Sequence, residues 1–184
     1  VTRLRLILTT EPSKPPPNHL FSPGPTGKKQ VIRLKSDMPE SINFYLVDDE
    51  YGAFSNFAAY LIELDGATWP TTEHYFQAQK FVGTQHADEI RLVDSPMTAA
   101  RMGRDRERPL RPDWEDVKDD VMRVALHAKF TQHPDLMALL LGTGDAMIVE
   151  HTKNDRYWGD GGDGTGRNML GRMLVELRTR IQSG

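Results

Sequence analysis

From residue 42 onward, apolar and polar positions alternate with two different periods, and the change of period divides the chain into elements. Residues 42–47 read as a strand, followed by a polar loop that holds Gly52 and the run Phe54-Ser55-Asn56-Phe57. Residues 59–64 predict a second strand. It meets Asp65-Gly66, two residues that tolerate positive φ and so favour a tight hairpin, and 67–69 form the short return. Pro70 and Thr71 open a helix expected to reach about Val82, and a second helix covers about 86–93. Ser95-Pro96, a capping residue followed by proline at the first helical position, starts a third that runs through Met102.

Helical spacing is longest after Asp113, a good cap with Asp116 three residues later. Trp114, Val117, Val121, Val124, Ala125 and Ala128 return every three or four residues, and this stripe is assigned to the core. His133-Pro134 ends that helix, a short helix over 135–141 stops at Gly142, and 146–150 reads as a buried strand. A loop over 154–167 leads into a last helix, 168–181, expected to bury Leu170, Met173, Leu174, Leu177 and Ile181. No internal repeat is visible.

Length and composition narrow the picture. A chain of 184 residues supports one core and is short for two full-sized domains. Residues 1–40 contain seven of the twelve prolines and seven Lys or Arg against three acids, a local net of +4; with −3 overall, the remainder carries −7. A proline-rich stretch without periodicity buries too little apolar surface to offset its ordering entropy. Residues 1–41 are therefore expected to be a basic, disordered or loosely docked extension, and 42–184 the folded domain. An acidic domain is a poor match for long nucleic acid, which needs phosphate-neutralising Lys and Arg. There is no cysteine, which removes disulfides, thiolate metal sites and cysteine nucleophiles. No apolar run has the roughly 18 residues of a membrane span, and the apolar patch near residue 6 is short for a signal peptide; the expected location is cytoplasmic, with no membrane partner.

Two segments are costly to explain as scaffold. The loop over 154–167 packs five glycines, three aspartates, Tyr157 and Trp158 between a strand and a helix. Glycine lets the backbone approach a ligand closely, the two rings offer flat faces, and Asp160 offers a carboxylate. Gly159-x-Gly161-x-x-Gly164 has the dinucleotide spacing, but the chain ends before a βαβ unit with its acid can follow. Asp160 lacks the oxygen spacing and twelfth-position Glu of a calcium loop, since that place is Gly171. The second segment runs from Trp69 to Phe81. On a helix, Glu73, Gln77 and Lys80 fall at i, i+4 and i+7, aligning a carboxylate, an amide and an ammonium on one face; first-turn dipole pairing of Glu73 is the structural alternative. Arg101, Arg104, Arg106, Arg108 and Arg111 crowd the turn after the third helix, where two or three would suit a phosphate. The six histidines form no tight ligand pair, so no metal site is expected.

Taken together, Asn43-Phe44-Tyr45, residues 52–57, 69–81, 95–114 and 154–171 resemble the NADAR, or YbiA-like, family of N-glycosidases, over about 42–180. The resemblance implies an α+β fold, a compact and predominantly helical single domain with a small antiparallel sheet. It implies a hydrolase that cleaves ribosyl C–N bonds without metal or cofactor. Members similar to this chain act on the first pyrimidine intermediates after GTP ring opening in riboflavin synthesis, releasing ribose 5-phosphate and free pyrimidine. Other branches act on ADP-ribose attached to guanine, the one alternative that brings nucleic acid in as a partner, or are linked to NAD-derived metabolites; a non-catalytic ADP-ribose-binding module is a further alternative. The expected partner is thus a small phosphorylated ribosyl substrate. Carried across, the functional positions are Glu73 and Asp160 as catalytic carboxylates and Trp158 as a stacking surface. Asn56, Gln77, Lys80, Arg101, Arg104 and Tyr157 are expected to bind substrate.

Overall fold

The computed structural model describes residues 39–184; residues 1–38, most of the expected extension, lie outside the described part. The described chain is helix-dominated. Strand β1 (Ser41–Phe44) is followed by hairpin β2 (Ile62–Leu64) and β3 (Ala67–Trp69), then helices α1 (Thr72–Ala78), α2 (Gln85–Arg91) and α3 (Pro96–Met102). After these come α4 (Trp114–Gln132), α5 (Pro134–Leu141), β4 (Met147–Glu150) and α6 (Met169–Ser183).

The hairpin forms as its sequence demands: Asp65 and Gly66 both take positive φ, 55° and 74°, and β2 pairs antiparallel with β3 from Ile62 opposite Trp69 to Leu64 opposite Ala67. A second, parallel pair was not foreseen. β1 lies alongside β4 from Ser41 opposite Met147 to Phe44 opposite Glu150. Such pairing needs a long crossover and leaves no local signature in either strand. β4 is also less buried than its apolar run suggested, because Ile148 faces inward while Met147 is 63% exposed. Strand β1 stops at Phe44 instead of Val47, since a turn follows in which Asp49 N–H donates to the Leu46 carbonyl and Leu46 N–H to the Asp49 carboxylate. The expected strand over 59–64 shrinks to Ile62–Leu64. The helix expected to reach Val82 ends at Ala78 and tightens into a 3₁₀ turn over Gln79–Phe81.

Helix α4 carries the core on a wider arc than its valine stripe implied. Met122, Leu126 and Phe130 pack with Phe44, Phe54, Phe76, Leu140, Ile148 and Leu174, whereas Ala125 and Ala128 pack with Ile62, Trp69, Tyr75, Phe81 and Ile90. At about 100° per residue the arc from Ala128 round to Phe130 covers about 200°. Val124 falls outside it and is 45% exposed, against expectation. Ile181 is only partly buried, while Leu170, Met173, Leu174 and Leu177 occupy the expected interior.

Candidate active site

Helix α1 begins where three backbone anchors meet. Thr71 caps it by accepting from His74 N–H, and the Thr72 hydroxyl donates to the backbone and side-chain oxygens of Asn56 at 3.1 and 3.0 Å. Glu73 N–H also donates to the Asn56 carbonyl, at 3.1 Å. The Ser55-Asn56 segment is held from the other side by Lys129, a fully buried lysine of α4 whose Nζ donates to the Ser55 carbonyl at 2.8 Å. Desolvation lowers the Lys129 pKa to about 7. The first turn of α1 and this loop are therefore one rigid wall.

That wall bounds a cavity of about 590 Å³, and the polar stripe read from helical spacing faces it: Glu73, Gln77 and Lys80 all line it. Glu73 is buried, 6% exposed, and its Oε1 accepts from Gln77 Nε2 at 2.8 Å. Desolvation raises its pKa, opposed by the Gln77 hydrogen bond and by the charges of Lys80 and Arg104, with Asp155 adding a push upward. The Lys80 ammonium donates to the Gly103 carbonyl at 2.9 Å beside the Phe76 and Trp114 rings, and burial lowers its pKa while Glu73 counteracts. Gly103 abuts Gln77 so tightly that a Cβ would lie 1.9 Å from Gln77 Oε1.

Asn56, Trp158 and Arg104 complete the group of expected residues that share the cavity. Trp158 is held edge to face by Phe76, ring centroids 5.2 Å apart, and by Tyr157 at 5.0 Å. Three expected residues do not line it. Arg101 is exposed on the last turn of α3. Tyr157 does not line the cavity: its hydroxyl donates to Asp119 at 2.7 Å, and Lys118 and Arg167 lie 4.1 and 4.6 Å from the centre of its ring. The third is Asp160, whose oxygens are committed to the loop: Oδ1 accepts from Thr152 N–H and Gly162 N–H, and Oδ2 meets His151 Nδ1 at 2.7 Å. Burial alone would raise its pKa, but the contacts with His151, Gly162 and Thr152 hold it below the ordinary value. Its carboxylate organises the glycine loop.

Sequence reasoning passed over two acids that do face the cavity, Glu150 and Asp155. Asp155 Oδ1 accepts from the N–H groups of Tyr157 and Trp158, both at 2.7 Å, and so sets the turn that presents the indole. Glu150 ends β4. Desolvation raises its pKa to about 7, with Asp155, Glu73 and Asp160 adding to the rise. The signal was available: an acid closing an apolar strand immediately before a glycine-rich loop. Tyr45 and Phe57 from the β1 side and Met97 of α3 also line the cavity.

Carboxylates facing an amide, an ammonium, a guanidinium and an indole across one partly open cavity are the site of an α+β enzyme that takes a small molecule. The NADAR domain family matches residues 43–182, and the chain belongs to it. It is 64% identical over 150 residues to the N-glycosidase YbiA of Escherichia coli (strain K12), spanning 81% of this chain and 94% of that protein. It is 44% identical over 155 residues to the chloroplastic riboflavin biosynthesis protein PYRR of Zea mays, covering 76% of this chain but 25% of the longer plant protein. The solution structure of E. coli YbiA superposes with a TM-score of 0.75 at 58% identity, over 83% of this chain and 90% of that one. Among the described residues no helix is long and apolar enough to cross a membrane, and no group of three or more His, Asp or Glu is placed to hold a metal ion.

Proposed function

We propose that this N-glycosidase hydrolyses the ribosyl C–N bond of an early riboflavin-pathway pyrimidine ribosylamine phosphate, yielding ribose 5-phosphate and the free pyrimidine. The observation that carries the reading is the Glu73–Gln77 pair, a buried carboxylate held at 2.8 Å by an amide in a cavity that also presents Trp158, Lys80 and Arg104. The names of the E. coli and maize relatives support the bond type and the pathway.

The chemistry follows from the charge that develops. Breaking a C–N glycosidic bond places positive charge on the sugar ring, so a carboxylate beside the anomeric carbon stabilises the transition state more than the ground state. Glu73 supplies it and accepts the proton of the attacking water. Gln77 orients Glu73, and the charges of Lys80 and Arg104 oppose the rise in its pKa that burial causes. Those two cations also suit the substrate phosphate, with Arg104 at the exposed end of the cavity. Trp158 stacks on the pyrimidine, and Asn56 faces the sugar hydroxyls. Asp160 positions the loop that carries Trp158.

The direct test is to incubate the purified protein with the pyrimidine ribosylamine phosphate, with its dephosphorylated form and with ADP-ribosylated guanine, following free base and ribose phosphate by mass spectrometry. Release of pyrimidine and ribose 5-phosphate, much reduced without the phosphate, is the expected result. Release from ADP-ribosylated guanine alone would replace the substrate assignment. Equal turnover with and without the 5′-phosphate would remove Lys80 and Arg104 from phosphate binding.

A further inference from the structure

Glu150 presents to the cavity a carboxyl that none of these roles uses. Its backbone is pinned on both sides: the N–H donates to Asn168 Oδ1 at 3.0 Å, the carbonyl accepts from Asp160 N–H at 3.0 Å, and pairing sets the residue opposite Phe44. Asn168 adopts a left-handed conformation, φ 48°, at the start of α6, where its side chain bridges to Glu150 N–H and the Ile148 carbonyl. Gly159 packs so closely on the Glu150 carbonyl that a Cβ would meet it at 2.9 Å. The end of β4 is thus fixed against the cavity. Glu150 Oε2 is buried there and has no hydrogen-bond partner among the described residues. An anion so placed is costly, whereas a protonated carboxyl costs far less and offers an O–H to whatever fills the cavity.

Burial raises the pKa of both glutamates of the cavity, but their partners differ: Glu73 Oε1 accepts from Gln77 Nε2, whereas Glu150 Oε2 has no hydrogen-bond partner among the described residues. Glu73 has the Gln77 amide, Lys80 and Arg104 in its favour as an anion. The charges acting on Glu150 are all acidic: Asp155 and Asp160 of the glycine loop and Glu73 of α1. Where two carboxyls share a site, the one that accepts from a donor and has cations beside it is the better base, and the one without a donor is the better acid.

We propose that Glu150 is the general acid of this enzyme, protonating the leaving nitrogen while Glu73 deprotonates the water. The inference rests on the reading of the site as that of a ribosylamine hydrolase. As the water oxygen bonds to the anomeric carbon, the C–N bond breaks and its electron pair stays on nitrogen, which takes the Glu150 proton. The water proton passes to Glu73. Net, one water is added across the bond, and the proton on Glu73 returns to Glu150 through solvent between turnovers.

The test compares wild type, Glu150→Gln and Glu73→Gln on two substrates, the pyrimidine ribosylamine phosphate and 4-nitrophenyl ribofuranoside 5-phosphate. The nitrophenolate departs as a stabilised anion and needs no proton. Glu150→Gln is expected to lose about 10²- to 10⁴-fold in kcat on the ribosylamine with KM little changed, yet to stay close to wild type on the nitrophenyl substrate; Glu73→Gln is expected to lose both. Wild-type kcat should also fall as the pH rises through about 7, a measurement that decides the matter even if the variant fails to fold. A ribosylamine kcat for Glu150→Gln equal to wild type, equal losses on both substrates, or a wild-type kcat flat across that range overturns the assignment. If wild type releases nothing from the ribosylamine, the substrate reading falls instead, and the same comparison on ADP-ribosylated guanine decides Glu150.

Discussion

In the proposed reaction a single side chain, Glu73, carries the chemistry, and its neighbours tune that side chain. Glu73 is buried beside Gln77, Lys80 and Arg104, so Glu73→Gln keeps the shape and loses the carboxyl that can take a proton. The expected outcome is a kcat lower by about 10²- to 10⁴-fold with the melting temperature unchanged or raised; a folded variant turning over like wild type would sink the role. Trp158→Ala, made in the Glu73→Gln background so that substrate survives a calorimetric titration, should weaken binding by about 1–3 kcal/mol. Unchanged affinity would mean that the indole is scaffold. Asp160→Asn probes a different kind of residue. Its oxygens serve Thr152, Gly162 and His151, so kcat and stability should fall together, the latter by about 1–3 kcal/mol. Lost activity with full thermal stability would return Asp160 to the substrate.

At the scale of elements, the site is a junction. The N-terminus of α1 is tied to the Ser55-Asn56 loop, α4 ties that loop down through Lys129, and the α3 turn presses on the far side of α1 through Gly103. Gly103 has an ordinary helical φ of −70°, so alanine there suffers no backbone strain. Its Cβ would instead displace Gln77 and loosen the hydrogen bond to Glu73. Gly103→Ala is therefore expected to lower kcat about tenfold or more while costing about 1–3 kcal/mol in a denaturant melt. A variant with unaltered kinetics would show that Gln77 does not position Glu73.

Across the whole molecule the functional cost is a concentration of acid. Asp155 raises the pKa of both Glu73 and Glu150, and Glu73 and Asp160 add to the rise at Glu150, so gathering these acids costs stability. The sign follows from proton binding. Glu150 has an ordinary value of 4.5 when exposed and about 7 when folded, so between these the native state binds more protons and stability falls as the pH rises. Glu150→Gln is expected to melt close to wild type near pH 4.5 and to exceed it increasingly toward pH 7 and above, by about 1–3 kcal/mol. Thermal melts across this range check it; a gap that stays constant with pH would show that Glu150 does not titrate inside the protein.

What local patterning can carry was legible in the residues themselves. The Asp65-Gly66 hairpin, the Ser95-Pro96 start of α3 and the alignment of Glu73, Gln77 and Lys80 depend only on neighbours within a turn or two, and each stands where its spacing put it. The parallel pairing of β1 with β4 joins segments about a hundred residues apart and has no local signature. Asp160 and Tyr157 looked like ligand contacts because a rich loop advertises polar groups without saying which way they turn. Closure of that loop drew Asp160 into its own hydrogen bonds and left Asp155 and Glu150 facing the cavity. Residue type and spacing determined which chemistry was present; only tertiary packing, which turned some acids into the loop's own hydrogen bonds and others toward the cavity, decided which of them faces it and what surrounds it.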